Sequence, residues 1–172
     1  NKGPGYFGVQ RFDRDGNSRI HMHTACGLLH ADFRTPSLDY KSLLEAAKVL
    51  TKDQREVEKM YRLAVFNVLA HNRDDHSKNF SFLMDGSGVW RVSPAYDLTF
   101  SSGPGGEHST MVMGEGKSPS HKDLLELAKT VSIQKPQDVI NQVQQTVQDW
   151  HKYAKQAGVS KSSIERIAKV IV

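Results

Sequence analysis

Asn72-Arg73-Asp74-Asp75-His76-Ser77-Lys78-Asn79, followed eighteen positions later by Asp97 in Tyr96-Asp97-Leu98, is the stretch that decides how this chain is read. Transfer of a γ-phosphoryl group needs a carboxylate to accept the hydroxyl proton, and an amide oxygen plus a second carboxylate to hold magnesium against the phosphates. Asp74, Asn79 and Asp97 supply those parts. Between them, the apolar-rich runs Phe80–Met84 and Val89–Val92 flank Asp85-Gly86-Ser87-Gly88, a hairpin signal. A hairpin returns the chain to where it left, so Asp97 is expected beside Asn79, as two ligands of one cation must be. Taken without those neighbours, Asp74, Asp75 and Asn79 read only as polar residues in a loop after a helix, because Asp and Asn are frequent in turns.

The spacing Arg73-Asp74-x-x-x-x-Asn79 reproduces that of the protein-kinase catalytic loop, with Asn72 in place of its His. The longer run from Phe66 through Leu69-Ala70-His71 to Phe80, followed by Pro94-Ala95-Tyr96-Asp97-Leu98-Thr99, resembles the HipA family of bacterial persistence toxin kinases. Similarity continues through Gly8-Val9-Gln10-Arg11-Phe12-Asp13-Arg14, and through Gly106-Glu107-His108 and the helices beyond, covering nearly all of the chain.

The resemblance implies an α+β, mainly helical fold, the large C-terminal lobe of a protein kinase with a catalytic-loop β-hairpin, spanning residues 1–172. Within it, residues 1–14 would form the hinge strand, 71–98 the catalytic loop, hairpin and metal-binding Asp, and 120–172 the C-terminal helices. It further implies Asp74 as catalytic base, and Asn79 and Asp97 as magnesium ligands. His76 and Lys78 match the remaining motif positions, where they would contact phosphate or orient the loop. Gln10 and Phe12 fall in the hinge, where main-chain groups bind adenine and the aromatic ring packs on it. The cofactors implied are ATP and Mg2+. The partners implied are a protein substrate, such as a translation factor or an aminoacyl-tRNA synthetase, and a HipB-like DNA-binding antitoxin, with DNA contact indirect or weak. Family members can also autophosphorylate on a serine that would lie outside this chain.

A kinase of this type also needs an N-terminal lobe with a phosphate-covering loop and a Lys for the α- and β-phosphates. The chain opens at Asn1, just before the hinge, and Gly3-Pro4-Gly5 is too short and Pro-bound to serve as that loop. The expectation is a large lobe, its N-terminal lobe absent, with little activity in isolation. Two other function classes are weighed against this one. Aminoglycoside-like small-molecule phosphotransferases also use an Asp-x-x-x-x-Asn loop and a later Asp, but typically read His-Gly-Asp with a Gly before the Asn. A non-catalytic module holding an antitoxin or DNA would not need all three of Asp74, Asn79 and Asp97 intact.

At 172 residues the chain is one typical domain, large enough for a core without staples. One cysteine, Cys26, excludes an internal disulfide framework, suits a reducing cytoplasm, and by default is a small buried residue. No apolar run approaches the length of a membrane span, and cytoplasmic localisation is expected. The formal charge of +4 permits an acidic partner, but the basic residues are scattered along the helices rather than gathered in a stripe. His21 and His23, with His30, could be read as metal ligands, but the first two share one strand face without a third ligand at a recognised zinc spacing. Ser81 and Ser101 read as loop hydroxyls rather than nucleophiles.

Along the chain, the pattern predicts a strand over Phe7–Asp13 ending in the Asp15-Gly16-Asn17 turn, and a second strand over Arg19–His23. A helix starting near Ser37 carries Leu38, Leu43, Leu44 and Ala47 on its apolar face. Thr51 with Gln54 forms a capping-box pattern for the next helix, in which Val57, Met60, Tyr61, Ala64, Val65, Val68 and Leu69 recur at steps of three and four. That helix delivers the catalytic loop. Thr99–Gly106 reads as a loop at the place of a kinase activation segment, and Thr110–Met113 as a short strand. Ser120 with Asp123 opens a helix through Val131, Pro136 one through about Ala157, and Ser162 with Glu165 the last. Val139, Ile140, Val143, Val147, Trp150 and Tyr153 are expected on one face of the long one.

Overall fold

Packing begins at the helix that precedes the quoted stretch. In the structure, a computed structural model describing Tyr6, residues 8–34 and residues 38–171, the strands are β1 Arg14–Asp15, β2 Ser18–Arg19, β3 His21–Thr24, β4 Leu38–Asp39, β5 Ser81–Met84, β6 Trp90–Val92 and β7 Thr110–Met111. The helices are α1 Ala25–Leu28, α2 Tyr40–Thr51, α3 Gln54–Leu69, α4 His121–Thr130, α5 Pro136–Gln148, α6 Trp150–Gln156 and α7 Lys161–Ala168. Helix α3 is the spine, with α2 on one side and α5 on the other. Val57, Met60, Tyr61, Ala64 and Val65 are fully buried, as the three-and-four spacing predicts, while Val68 and Leu69 are half-buried at its end. Each such burial is worth about 1.5–3 kcal/mol. That sum far exceeds the roughly 1–3 kcal/mol cost of a left-handed residue, so the turn that follows α3 can be strained without loosening it.

Helix starts differ from the predicted ones where a better-placed cap exists. α3 is capped by Asp53, whose side chain accepts from Arg55 N at 2.9 Å. Thr51 instead donates to the Ala47 carbonyl at 2.8 Å, and Gln54 reaches across to the Val131 carbonyl at 3.1 Å. α2 begins at Tyr40 behind Asp39, which accepts from Lys41 N at 2.8 Å. The predicted start near Ser37 lies outside the described residues. The Ser120–Asp123 capping box is present and opens α4, which ends at Thr130. α7 is capped by Ser160, which accepts from Ser163 N, rather than by Ser162.

The predicted helix over 136–157 is broken at Asp149, where a tighter bond from Asp149 N to the Thr146 carbonyl ends α5. The break lets Trp150 Nε1 donate to the Ile164 carbonyl on α7 at 3.1 Å. Ile140, Val143 and Val147 line the core, Val139 and Trp150 are half-buried, and Tyr153 faces out at 46% exposure.

The central sheet runs β3-β5-β6, antiparallel throughout, with Phe82 opposite both His23 and Val92. Its β5–β6 hairpin is the predicted one. Asp85 closes the turn by accepting from Ser87 N and Val89 N, and Gly88 takes the positive φ of 83° that the turn requires. Val92 N donates to the buried Glu56 carboxylate at 2.9 Å, fastening the hairpin to α3. The Arg19–His23 strand appears as β3, displaced to 21–24 and paired with β5.

The strand expected over 7–13 is not formed among its described residues. Gly8–Arg11 are irregular, Phe12–Asp13 turn, and only Arg14–Asp15 pairs, with β2, around the turn at Gly16-Asn17; Phe7 lies outside the described residues. The Asp13 carbonyl accepts from Ile20 N at 3.1 Å just beyond this pairing, and its carboxylate accepts from Arg11 at 2.6 and 2.8 Å. The predicted strand at 110–113 is the two-residue β7, which pairs in parallel with β4.

Candidate active site

α3 stops at Leu69, and His71 takes a left-handed φ of 57° that swings the chain back, so that Asn72 N donates to the Asn67 carbonyl at 2.9 Å. The following loop alternates. Asn72, Asp75, Ser77 and Asn79 are buried, whereas Asp74 and His76 are half-exposed and Lys78 exposed. Asp74 presents a carboxylate whose side chain is 49% exposed and whose nearest charge partner is His76 Nε2, 4.0 Å away. That carboxylate makes no hydrogen bond among the described residues.

Asn79 closes a 3-10 turn over Ser77–Asn79, its Nδ2 donating to the Asp74 carbonyl at 3.0 Å. That bond leaves Oδ1, the atom a hard cation takes, without a protein partner among the described residues. Lys78 lays its ammonium 3.2 Å from the centroid of the Phe33 ring, over which Arg34 also sits. The ring of His76 meets Phe33 edge-on.

The hairpin brings Asp97 back to this loop through its neighbour Tyr96. The Tyr96 hydroxyl donates to the Lys78 carbonyl and accepts from Ser81 Oγ at 2.6 Å, gripping the residues on either side of Asn79. Burial raises the phenol's pKa, which keeps it a donor. Asp97 itself is exposed and left-handed, at φ 53°. A non-glycine residue held there costs about 1–3 kcal/mol, a strain that clusters at functional positions. Its carboxylate lines a cavity of about 790 Å³ together with Gln10, Phe12, Met22 and Tyr96. Phe12 is half-exposed, its ring 5.5 Å from that of Tyr96. The sequence-selected residues thus fall in two groups: Gln10, Phe12 and Asp97 in the cavity, and Asp74, His76, Lys78 and Asn79 on the loop, with Tyr96 between them. Asn79 Oδ1 and the Asp97 carboxylate are hard oxygen donors of the kind magnesium accepts.

Several residues of this region have no local signal. Asp75 is wholly buried and accepts from the Tyr40 hydroxyl, from the backbone of Ser109 and Thr110, and faces His108 Nδ1. Its partners lie 33 to 35 residues away, which no reading of the octapeptide could reveal. The Tyr40 phenol is held well above its ordinary pKa by burial and then by the Asp75 charge.

Arg73 donates to the carbonyls of Gly106 and, at 3.0 Å, Lys117. His71 stacks on Phe100, and its Nδ1 meets the Ser101 carbonyl at 3.2 Å; burial, and secondarily Arg73, hold its pKa below the usual value. The expected loop over 99–106 is therefore clipped to the catalytic loop. Gly103, at φ 73°, permits this, because a Cβ there would collide with the Glu107 carbonyl and with Arg73.

A family model described as the HipA-like C-terminal domain matches residues 1–169. The chain belongs to that family. A curated relative, the putative kinase Y4mE of Sinorhizobium fredii (strain NBRC 101917 / NGR234), is 27% identical across 92% of this chain and 35% of its own length. Among solved structures, HipA in the Shewanella oneidensis MR-1 toxin–antitoxin complex of HipA, HipB and operator DNA matches with a TM-score of 0.71 at 17% identity, over 94% of this chain and 45% of that one. The fold is thus the α+β, mainly helical C-terminal lobe of HipA, and the chain spans less than half the length of these relatives. Elsewhere in this HipA-like domain, Cys26 is half-exposed rather than buried. His21 packs edge-on against Trp90, and His23 Nδ1 lies 3.1 Å from the Thr24 carbonyl. No helix among the described residues is long and apolar enough to cross a membrane.

Proposed function

We propose that this chain is the large lobe of a HipA-type serine/threonine protein kinase, which moves the γ-phosphoryl group of ATP to a hydroxyl of a protein substrate. The observation that carries this reading is the state of the loop. An open carboxylate without hydrogen bonds, Asp74, adjoins an amide, Asn79, whose nitrogen is tied down and whose oxygen is free. Asp74 accepts the acceptor hydroxyl's proton as the oxygen attacks phosphorus, a role worth about 10²–10⁴-fold in rate. Asn79 Oδ1 and the Asp97 carboxylate would hold magnesium, which would supply charge neutralisation at the phosphate oxygens. Phe12 offers its ring to adenine, and backbone groups around Gln10 offer polar contacts along the same cavity. Tyr96 keeps the spacing between cavity and loop.

The family supports a toxin restrained by a HipB-like DNA-binding antitoxin, with any DNA contact made indirectly, in the cytoplasm where ATP and a translation-related substrate are found. Phosphoryl transfer also needs a lobe that covers the phosphates from the other side, so activity is assigned to a protein that carries both lobes. The test is transfer of labelled phosphate from Mg-ATP by the full-length protein beside its Asp74→Asn variant. Label appearing on protein with the parent alone supports the reading. Nucleotide binding without protein label would favour a small-molecule acceptor, and equal labelling by both would remove Asp74 from its role.

A further inference from the structure

We propose that Asp75 is the positioning residue of the catalytic loop, its buried carboxylate fixing Asp74 and Asn79 relative to one another; this rests on the phosphotransfer reading of those two. Asp75 touches no reacting group, being 0% exposed. Its Oδ1 accepts from Ser109 N at 2.8 Å and from Thr110 N at 3.2 Å. Its Oδ2 accepts from the Tyr40 hydroxyl at 2.8 Å and lies 3.0 Å from His108 Nδ1. A carboxylate held by donors from two directions has one orientation, and the backbone that carries it has little freedom left.

That backbone is gripped as well. Thr110 Oγ1 donates to the Asp75 carbonyl, and Ser109 Oγ donates to the Arg73 carbonyl at 3.1 Å. The peptide before Asp74 and the one after Asp75 are thereby set. The Asp74 carbonyl is in turn the group that orients Asn79, through the 3.0 Å bond from Nδ2. A second arm runs inward, since the Tyr40 hydroxyl accepts from Asn67 Nδ2 at 2.8 Å and Asn67 Oδ1 accepts from Asn72 Nδ2 at 3.0 Å. One run of hydrogen bonds thus joins α2, α3 and the 108–110 segment to the two groups proposed to handle the proton and the metal. Its centre is Asp75.

The experiment compares wild-type, Asp74→Asn, Asp75→Asn and Tyr40→Phe forms of the full-length protein. It measures kcat and KM for Mg-ATP per folded molecule, the pH–rate profile, and amide hydrogen exchange over 72–80 and 106–111. Asp75→Asn should lower kcat about 10²-fold, the effect of displacing a reacting group by about 1 Å, and change KM less than about threefold. The pH–rate profile should keep its shape, because Asp75 takes no part in the proton transfer. Tyr40→Phe keeps the charge and removes one donor, and should lower kcat by up to about tenfold with the fold intact. Exchange should quicken in those two segments and not in α4–α7.

Unchanged kcat per folded molecule in both variants would overturn the proposal, even with a lowered melting temperature. So would a profile of changed shape in Asp75→Asn, which would put Asp75 in the proton transfer itself. Should the wild type transfer no phosphate, the kinase reading fails separately and exchange decides: unaltered protection overturns the positioning role, and faster exchange confined to the two segments supports it.

Discussion

Asp74 and Asp75 are neighbours with the same side chain, and the fold treats them in opposite ways. One holds its carboxylate half in solvent without a hydrogen bond among the described residues; the other is fully buried among donors from α2 and the 108–110 segment. The same division runs along the loop, with Asp74, His76 and Lys78 on its open face and Asn72, Asp75 and Ser77 on its buried face. Asn79 sits on the boundary, its nitrogen turned to the backbone and its oxygen left over. The difference teaches how a strained loop can be accurate: one face is over-determined so that the other can remain chemically unsatisfied, a state that costs stability and is useful only for binding or reaction.

Substitutions on the open face should break chemistry and spare the fold. Asp74→Asn should cut phosphotransfer by the full-length protein at least about 10³-fold, with its melting temperature unchanged by calorimetry. Asp97→Asn should weaken Mg-nucleotide binding about 10–100-fold by titration calorimetry, the worth of roughly 1.5–3 kcal/mol for a charged contact. On the braced side the ranking reverses. Gly103→Ala should cost about 1–3 kcal/mol of stability in denaturant titration, because the new Cβ has no room beside Arg73 and the Glu107 carbonyl.

Tyr96→Phe probes the link between the faces. Losing its bonds to Lys78 and Ser81 should cost about 0.5–1.5 kcal/mol, seen as a few-fold weaker nucleotide binding. The smallest effect is expected from His71, whose pKa is lowered by burial and by Arg73. A depressed folded-state value means the unfolded chain binds the proton first. His71 therefore contributes stability that is intact above its ordinary pKa near 6.5 and lost as pH falls through the lower folded value. His71→Gln should flatten the melting-temperature decline below pH 6.5, while stability at pH 8 falls slightly through the lost contacts with Phe100 and the Ser101 carbonyl.

Features legible in the sequence share a short range. The α3 stripe, the Asp85–Gly88 turn and the Ser120–Asp123 cap are each written within a few residues, and each is found where its pattern places it. The octapeptide also specifies its open face, since Asp74 and Asn79 stand at a motif spacing. What could not be read depends on distant partners. Nothing around Asp75 distinguishes it from Asp74 until Tyr40 and residues 108–110 fold against it. The break at Asp149 accompanies a long-range bond from Trp150 to Ile164, which no local pattern announces. Caps failed for a local reason: at Thr51 and at Ser162, Asp53 and Ser160 lie in better positions.

The division of the loop is tested most directly by a crystal structure of the full-length protein with magnesium and a non-hydrolysable ATP analogue. The account predicts adenine against Phe12 and a metal bound by Asn79 Oδ1 and the Asp97 carboxylate at about 2.0–2.1 Å. Asp74 should face the γ-phosphate without touching the metal, and Asp75 should remain buried on Tyr40 and Ser109. Metal on Asp75, or a nucleotide seated away from the cavity between Gln10 and Asp97, would contradict it.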